Sequence, residues 1–251
     1  MYNKKFKEID NFAVSKRWAV NMKKHIPNLI TLTNLFCACG ALVAVFGGRF
    51  PLVALWLSIG LAADFLDGAV ARALRVQSEL GKQLDSLADM VAFGVVPGAI
   101  FYVLLRDSLL DNTFALAGFV LTIFACLRLA KFNLDTRQSN SFIGLPTPAA
   151  AIFTMSLMLM NHWNTMGLKT WIAEPAFLLS AIVGLSLLMV SEIPMFSLKF
   201  AHFKWQGNQI KFIFAAVAVV LLLFLHEAAP AVVILTYATF SILQHLLNRK
   251  T

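Results

Sequence analysis

Long apolar segments, each close to the length of a membrane-spanning helix, dominate this sequence of 251 residues. Hydrophobic residues make up 59% of the chain and charged residues 14%, whereas soluble domains are about 25% charged. A helix of about 20 apolar residues crosses the hydrocarbon of a bilayer. We therefore predict an all-α fold, a polytopic transmembrane helical bundle of about eight spans. The predicted spans are 28–47, 51–74, 84–105, 113–134, 146–162, 172–191, 210–226 and 228–247.

The basic residues predict the orientation of this bundle, because cytoplasmic loops carry an excess of Lys and Arg. With eight spans and the N-terminus inside, 18 of the 21 Lys and Arg residues fall on the cytoplasmic side, and Arg49, Arg106 and Lys169 fall outside. Both termini are thus predicted to be cytoplasmic, in a cytoplasmic (inner) membrane. This placement explains the net charge of +8 without a nucleic-acid partner.

Two units are predicted along the chain. Residues 1–26 form a basic N-terminal segment, either an amphipathic helix on the membrane surface or an unstructured cytoplasmic tail. Residues 27–251 form a single transmembrane domain.

Four aspartates interrupt the apolar pattern. Asp64 and Asp67 are three residues apart near the end of the second predicted span, and Asp85 and Asp89 are four apart at the start of the third. Each pair therefore shares one face of its helix. Because a carboxylate at the centre of a span costs roughly 2.5–3.5 kcal/mol on insertion scales, four of them indicate a function. Facing each other, they would suit one or two Mg²⁺ or Mn²⁺ ions near the cytoplasmic side.

The chemistry that such a site favours is phosphoryl or phosphatidyl transfer. Divalent ions neutralise phosphate charge and stabilise the attacking and leaving oxygens of an in-line displacement. Gly68 follows Asp67 and would let a ligand or a helix approach the backbone. Arg72 can bind phosphate oxygens through its planar guanidinium. One aspartate could accept a proton from an attacking hydroxyl.

At the same positions the chain resembles the signature of the CDP-alcohol phosphatidyltransferase family. The matching residues are Asp64-x-x-Asp67-Gly68-x-x-Ala71-Arg72 and then Gly81-x-x-x-Asp85-x-x-x-Asp89. The resemblance implies transfer of a phosphatidyl or related group from a CDP-linked lipid to an alcohol, with release of CMP. It also implies a six-helix catalytic core, a divalent-metal site and, commonly, a homodimer.

Roles for single residues follow from this resemblance. Asp64, Asp67 and Asp85 would be metal ligands, and Asp89 would be a further ligand and the general base. Gly68 and Arg72 would contact the CDP group, the arginine on its phosphates.

Two further elements resemble the nucleotide side of the family's site. One is Pro27-Asn28-x-x-Thr31 at the start of the first span, and the other is Ser78 in the turn before the third. Asn28 could instead be a helix N-cap. Ser78 could be an ordinary polar residue of a turn.

The acceptor alcohol is indicated by two later stretches, which resemble the branch of the family that uses serine. They are Arg128-Leu-Ala-Lys131-Phe-Asn133 and Phe142-Ile-Gly-Leu-Pro146-Thr-Pro148. This implies CDP-diacylglycerol and L-serine as substrates, although usual members of the branch have Arg in place of Lys131. Arg128 or Lys131 would meet the serine carboxylate, or would anchor the helix at the cytoplasmic surface. Glu192 would assist a pocket or end a helix.

Other functions share parts of this pattern. Glycerol 3-phosphate or inositol phosphate could replace serine as the acceptor. Membrane prenyltransferases also carry aspartate pairs that bind Mg²⁺, but they release pyrophosphate rather than CMP. Intramembrane carboxylates also occur in cation transporters. The basic residues beside the aspartates favour a phosphate-binding enzyme over transport.

Overall fold

A computed structural model describes residues 25–109, 113–135, 142–195 and 209–248. Eight helices form the main body of these described ranges, and most of the predicted basic segment 1–26 lies outside them. The helices are α1 (His25–Phe46), α2 (Phe50–Leu74), α3 (Glu79–Ser108), α4 (Phe114–Leu134), α5 (Thr147–Trp163), α6 (Pro175–Val190), α7 (Gln209–Phe224) and α8 (Ala229–Asn248).

These helices confirm the prediction of an all-α polytopic membrane protein. By length and composition, five described helices could cross a membrane: α1 to α4 and the segment His226–Gln244, which contains most of α8. Helix α6 and residues Phe212–Phe224 of α7 are apolar but shorter. Two strands of two residues each, β1 (Phe142–Ile143) and β2 (Pro194–Met195), pair in antiparallel fashion at one end of the bundle.

A tight hairpin joins α2 to α3 and places the two aspartate pairs opposite each other. Arg75 caps the end of helix α2. It adopts the left-handed conformation with φ 54° and donates its N–H to carbonyls of the last turn. Three residues later Ser78 caps α3, because its hydroxyl accepts a hydrogen bond of 3.0 Å from the Gly81 N–H.

Helices α3 and α4 pack closely because glycines lie at their contact. A Cβ at Gly118 would overlap the backbone of Phe101 and Tyr102, and one at Gly98 would overlap the side chain of Thr122. Small residues allow this approach between membrane helices. Within α3, residues Val91–Val95 form a π turn, and the Gly94 carbonyl accepts a hydrogen bond of 2.8 Å from Thr122 Oγ1.

We expect Gly118→Ala to destabilise the protein by about 1–3 kcal/mol, because the added methyl group overpacks a backbone contact. Gly184→Ala is the matched control, since no atom lies within 4 Å of the position that its Cβ would take. Thermal unfolding of both variants in detergent measures the difference. Equal melting temperatures would show that the two helices can separate without cost.

The turn between α7 and α8 and the start of α8 dock on α5 through polar contacts. Ser156 Oγ donates a hydrogen bond of 2.5 Å to the Glu227 carbonyl and accepts one of 3.2 Å from the Ala231 N–H. Thr165 Oγ1 donates to Glu227 Oε2 at 3.2 Å. These contacts hold α8 beside α5, so that Tyr237 of α8 reaches the neighbourhood of Arg128.

Candidate active site

The four predicted aspartates meet across the α2–α3 hairpin. Carboxylate oxygens of Asp64, Asp67 and Asp85 all lie within 4.8 Å of one another. The Asp89 carboxyl contacts that of Asp64, while its Oδ1 is buried and has no hydrogen-bond partner in the described part of the chain. The structure therefore groups three aspartates tightly and places Asp89 directly beside them. We call these four residues the aspartate cluster.

A hydroxyl from α1 orients one member of the aspartate cluster. Thr31 is 3% exposed and its Oγ1 donates a hydrogen bond of 2.5 Å to Asp67 Oδ2. The same hydroxyl lies 3.1 Å from the Pro27 carbonyl. Asp67 is itself only 5% exposed, so this contact fixes its carboxylate between two helices.

A cavity of about 540 Å³ opens beside the aspartate cluster, and we call it the large cavity. Its walls come from the first turns of α1, the end of α2 and the start of α3. It is lined by Pro27, Asn28, Thr31, Asp67, Gly68, Ala71, Gln77, Ser78, Glu79, Gly81, Lys82 and Asp85. All the residues predicted for the nucleotide line it, with the exception of Arg72.

The N-cap interpretation of Asn28 is wrong, because Asn28 lies inside α1, which already includes His25. Its side chain instead reaches α3: a Cβ at Gly81 would lie 3.1 Å from Asn28 Oδ1. Ser78 both caps α3 and lines the large cavity. The turn-residue and ligand interpretations of Ser78 are therefore compatible.

Arg72 is exposed and folds back over Gly68. Its Nη1 lies 3.2 Å from the position that a Cβ at Gly68 would take. Gly68 lines the large cavity, so this guanidinium lies at the margin of that cavity, close to the negative charge of Asp67.

The aspartate cluster fits a divalent cation. Its donors are carboxylate oxygens, which hard cations such as Mg²⁺ and Mn²⁺ prefer. Carboxylates this close together and partly buried repel each other, and a bound cation would relieve the repulsion. The unpaired Asp89 Oδ1 is a further donor beside them.

A second cavity, of about 50 Å³, lies at the ends of α4 and α6, and we call it the small cavity. It is lined by Arg128, Lys131, Phe132, Asp135, Ile143, Met189, Val190, Ser191 and Glu192. Arg128 is 6% exposed, and its Nε and Nη2 have no hydrogen-bond partner among the described residues. Buried donors without partners cost free energy, so this guanidinium is suited to bind an anion.

The small cavity is connected to the aspartate cluster through Asp89. Arg128 lies near enough to Asp89 for their charges to interact. One turn further along α4, Asn133 Nδ2 donates a hydrogen bond of 2.8 Å to Ser86 Oγ of α3. This bond holds the ends of the two helices together, so that Arg128 of α4 lies near Asp89, which is a neighbour of the aspartates Asp67 and Asp85 that line the large cavity.

A glycine next to the small cavity lets two of its lining segments pack together. Gly144 has φ +74°, and a Cβ there would overlap the carbonyls of Met189 and Ser191. Its N–H donates a hydrogen bond of 2.9 Å to the Ile193 carbonyl, and the Leu145 N–H donates one of 2.9 Å to the Leu188 carbonyl. The loop before α5 is thereby tied to the end of α6.

The sequence interpretation missed Asn34. This residue is 0% exposed, and both polar atoms of its side chain lack partners among the described residues. It follows Thr31 by three residues and so shares its helix face, a spacing that could have identified it. No comparable spacing in the sequence identifies the other lining residues of the large cavity, Gln77, Glu79 and Lys82.

The fold and the site together define a polytopic helical membrane protein with a group of carboxylates beside one polar cavity and a buried guanidinium, which lines a second cavity, near those carboxylates. The family model of the CDP-alcohol phosphatidyltransferases matches residues 24–190, about two thirds of the chain. The chain belongs to this family and is an enzyme of this class, as the spacing of the aspartates predicted. Helices α7 and α8 lie beyond the matched range.

Several curated relatives are similar to this chain. CDP-diacylglycerol–serine O-phosphatidyltransferase of Bacillus subtilis is 34% identical over 180 residues, which cover 72% of this chain and 92% of the relative. The enzyme of the same name from Helicobacter pylori is 38% identical over 171 residues, covering 66% and 70%. Archaetidylserine synthase of Methanothermobacter thermautotrophicus is 29% identical over 170 residues, covering 67% and 68%.

Proposed function

We propose that this enzyme transfers the phosphatidyl group of CDP-diacylglycerol to L-serine, forming phosphatidylserine and CMP. The observation that carries the choice of acceptor is the buried guanidinium of Arg128, which has unpaired donors and lies beside Asp89. A carboxylate on Arg128 would place a serine hydroxyl near Asp89. The names of the relatives support the same acceptor.

The CDP group would occupy the large cavity. Asn28, Thr31 and Ser78 offer polar side chains there, and Gly68 and Gly81 expose backbone. Arg72 would bind phosphate oxygens at the margin of the cavity. Asp64, Asp67 and Asp85, with Asp89 beside them, would hold one or two Mg²⁺ or Mn²⁺ ions. When bound, such an ion would neutralise charge on the donor's phosphates.

Asp89 would act as the general base. It would accept the proton of the serine hydroxyl, and the serine oxygen would attack the lipid-linked phosphorus as the bond to CMP breaks. Arg128, and Lys131 at the mouth of the small cavity, would bind the serine carboxylate. We favour this direct displacement because it needs no further nucleophile.

Both cavities would open to the cytoplasm, with both termini on that side. The residues at this end of the bundle include Arg72, Arg75, Lys82 and Lys131, which the positive-inside rule assigns to the cytoplasm. A homodimer remains a prediction from the family resemblance.

The test is CMP release by the purified protein in detergent with CDP-diacylglycerol. L-serine, glycerol 3-phosphate and inositol 1-phosphate are supplied one at a time, with Mg²⁺, with Mn²⁺ or with EDTA. We expect release that depends on serine and is lost in EDTA. Release with another alcohol alone would refute the serine assignment, and no release of CMP with any of the three alcohols would refute the phosphatidyl transfer.

We expect Thr31→Val to lower kcat/KM about tenfold or more, because a hydrogen bond to a charged group contributes roughly 1.5–3 kcal/mol. The matched control is Thr33→Val, since the Thr33 hydroxyl is exposed and donates to the Leu29 carbonyl of its own helix at 2.9 Å. CMP release under the conditions above measures both. Equal activity of the two variants would show that Asp67 needs no partner on α1.

A further inference from the structure

The small cavity carries charges of both signs. Arg128 and Lys131 contribute cations from α4, and Glu192 contributes a carboxylate from the residues that follow α6. Arg106 and Asp107 form an ion pair at the end of α3. Glu192 has no ion-pair partner among the described residues. Two separate elements therefore present opposite charges to one cavity. A small zwitterion matches this arrangement.

We propose that Glu192 binds the ammonium group of the amino-acid acceptor and thereby sets the specificity of the small cavity. This inference rests on the proposed function and deepens it. The carboxylate of the acceptor would lie on Arg128, inside the cavity, and its ammonium group would lie nearer the solvent, at exposed Glu192. A phosphorylated alcohol has no ammonium group, and Glu192 would repel its phosphate.

The backbone on both sides of Glu192 is held in place. Ser191 Oγ donates a hydrogen bond of 2.9 Å to the Leu188 carbonyl, and the Ile193 carbonyl accepts the bond from Gly144. Pro194 then pairs with Ile143 in the short two-stranded sheet. Because its neighbours are fixed, the backbone of Glu192 is held at the cavity, which reduces the entropy cost of binding a ligand there.

Asp135 also lines the small cavity, but it is a weaker candidate for the ammonium group. It directly follows α4, the helix that carries both cations, and its N–H donates to the Lys131 carbonyl at 2.9 Å. Its carboxylate therefore belongs to the same helix end as Lys131. Glu192 comes from a different element and supplies the opposite charge independently.

The test is Glu192→Gln in the full chain, with Glu174→Gln as the matched control at the exposed start of α6. The KM for L-serine and the inhibition constant of 3-hydroxypropionate are measured by formation of phosphatidylserine, which only serine can give. This competitor keeps the hydroxyl and carboxylate of serine and lacks the ammonium group. We expect Glu192→Gln to raise the serine KM about tenfold, because one charge-assisted hydrogen bond is weakened.

The inhibition constant of 3-hydroxypropionate should stay within about twofold of the wild-type value, since this competitor makes no contact that depends on the charge of Glu192. An unchanged serine KM would overturn the inference, and so would an equal loss for both compounds. A wild-type enzyme that releases no CMP with serine would refute the proposed function itself. A melting temperature equal to that of Glu174→Gln would show that folding is intact.

Discussion

Asp89→Asn is expected to lower the turnover number for CMP release about a thousandfold, within the range of 10²–10⁴ that general-base catalysis contributes. The substitution keeps the size of the side chain and removes its ability to accept a proton. Since Asp89 lies beside the tight group of Asp64, Asp67 and Asp85, the variant should still bind CDP-diacylglycerol in the presence of Mg²⁺. Single-turnover CMP release and binding of the donor lipid, measured on one preparation, check both statements.

Two comparisons make this result specific to the base. Asp107→Asn changes an exposed aspartate paired with Arg106 at 3.0 Å and should leave turnover unchanged. Asp67→Asn changes the carboxylate that Thr31 orients and should weaken donor binding as well as turnover. Turnover of Asp89→Asn within tenfold of the wild type would assign the proton transfer to another group.

Arg128→Ala is expected to raise the KM for L-serine about a hundredfold. Truncating one partner of a buried, hydrogen-bonded charge pair costs about 2–5 kcal/mol, and 1.4 kcal/mol corresponds to a factor of ten. Arg128→Lys should recover only part of the affinity, because lysine cannot form the bidentate contact of a guanidinium. Initial rates over a range of serine concentrations measure both variants.

These two substitutions also separate ligand binding from membrane anchoring. An anchoring residue needs only its positive charge, so anchoring predicts that Arg128→Lys behaves as the wild type. Arg106→Ala is the control, because Arg106 lies at the other end of the bundle and is not among the residues lining either cavity. A wild-type serine KM in Arg128→Ala would exclude Arg128 from the acceptor site.

The helices and the aspartate cluster could be predicted because both depend on local properties of the chain. Apolar length predicts spans, and spacings of three and four residues put Asp64 with Asp67 and Asp85 with Asp89 on common faces. The short connection between α2 and α3 then leaves few ways to avoid bringing the pairs together. The family signature falls on the same residues, and the match to the family model confirms the resemblance to that family.

The two cavities depend on contacts between distant parts of the chain. In the sequence, Arg128 could be an anchor or a ligand, and its burial beside Asp89 supports the ligand interpretation. In the sequence, Glu192 could end a helix or line a pocket. In the structure it follows the end of α6 and lines the small cavity. Asn28 resembled an N-cap because the residues before it gave no sign that α1 already includes His25.

Two buried guanidinium nitrogens of Arg128, Nε and Nη2, have no hydrogen-bond partner among the described residues, and this has a consequence for the stability of the enzyme. Buried donors without partners lower the free energy of unfolding, and a bound ligand that accepts their hydrogen bonds raises it. Removing the cation altogether would leave Asp89 without the positive charge beside it, so Arg128→Met should melt at no higher temperature than the wild type and should lose affinity for serine. Saturating serine should raise the melting temperature of the wild type and leave that of Arg128→Met unchanged, because a ligand stabilises only the fold that binds it. Part of the stability of this enzyme is therefore gained only when the acceptor binds.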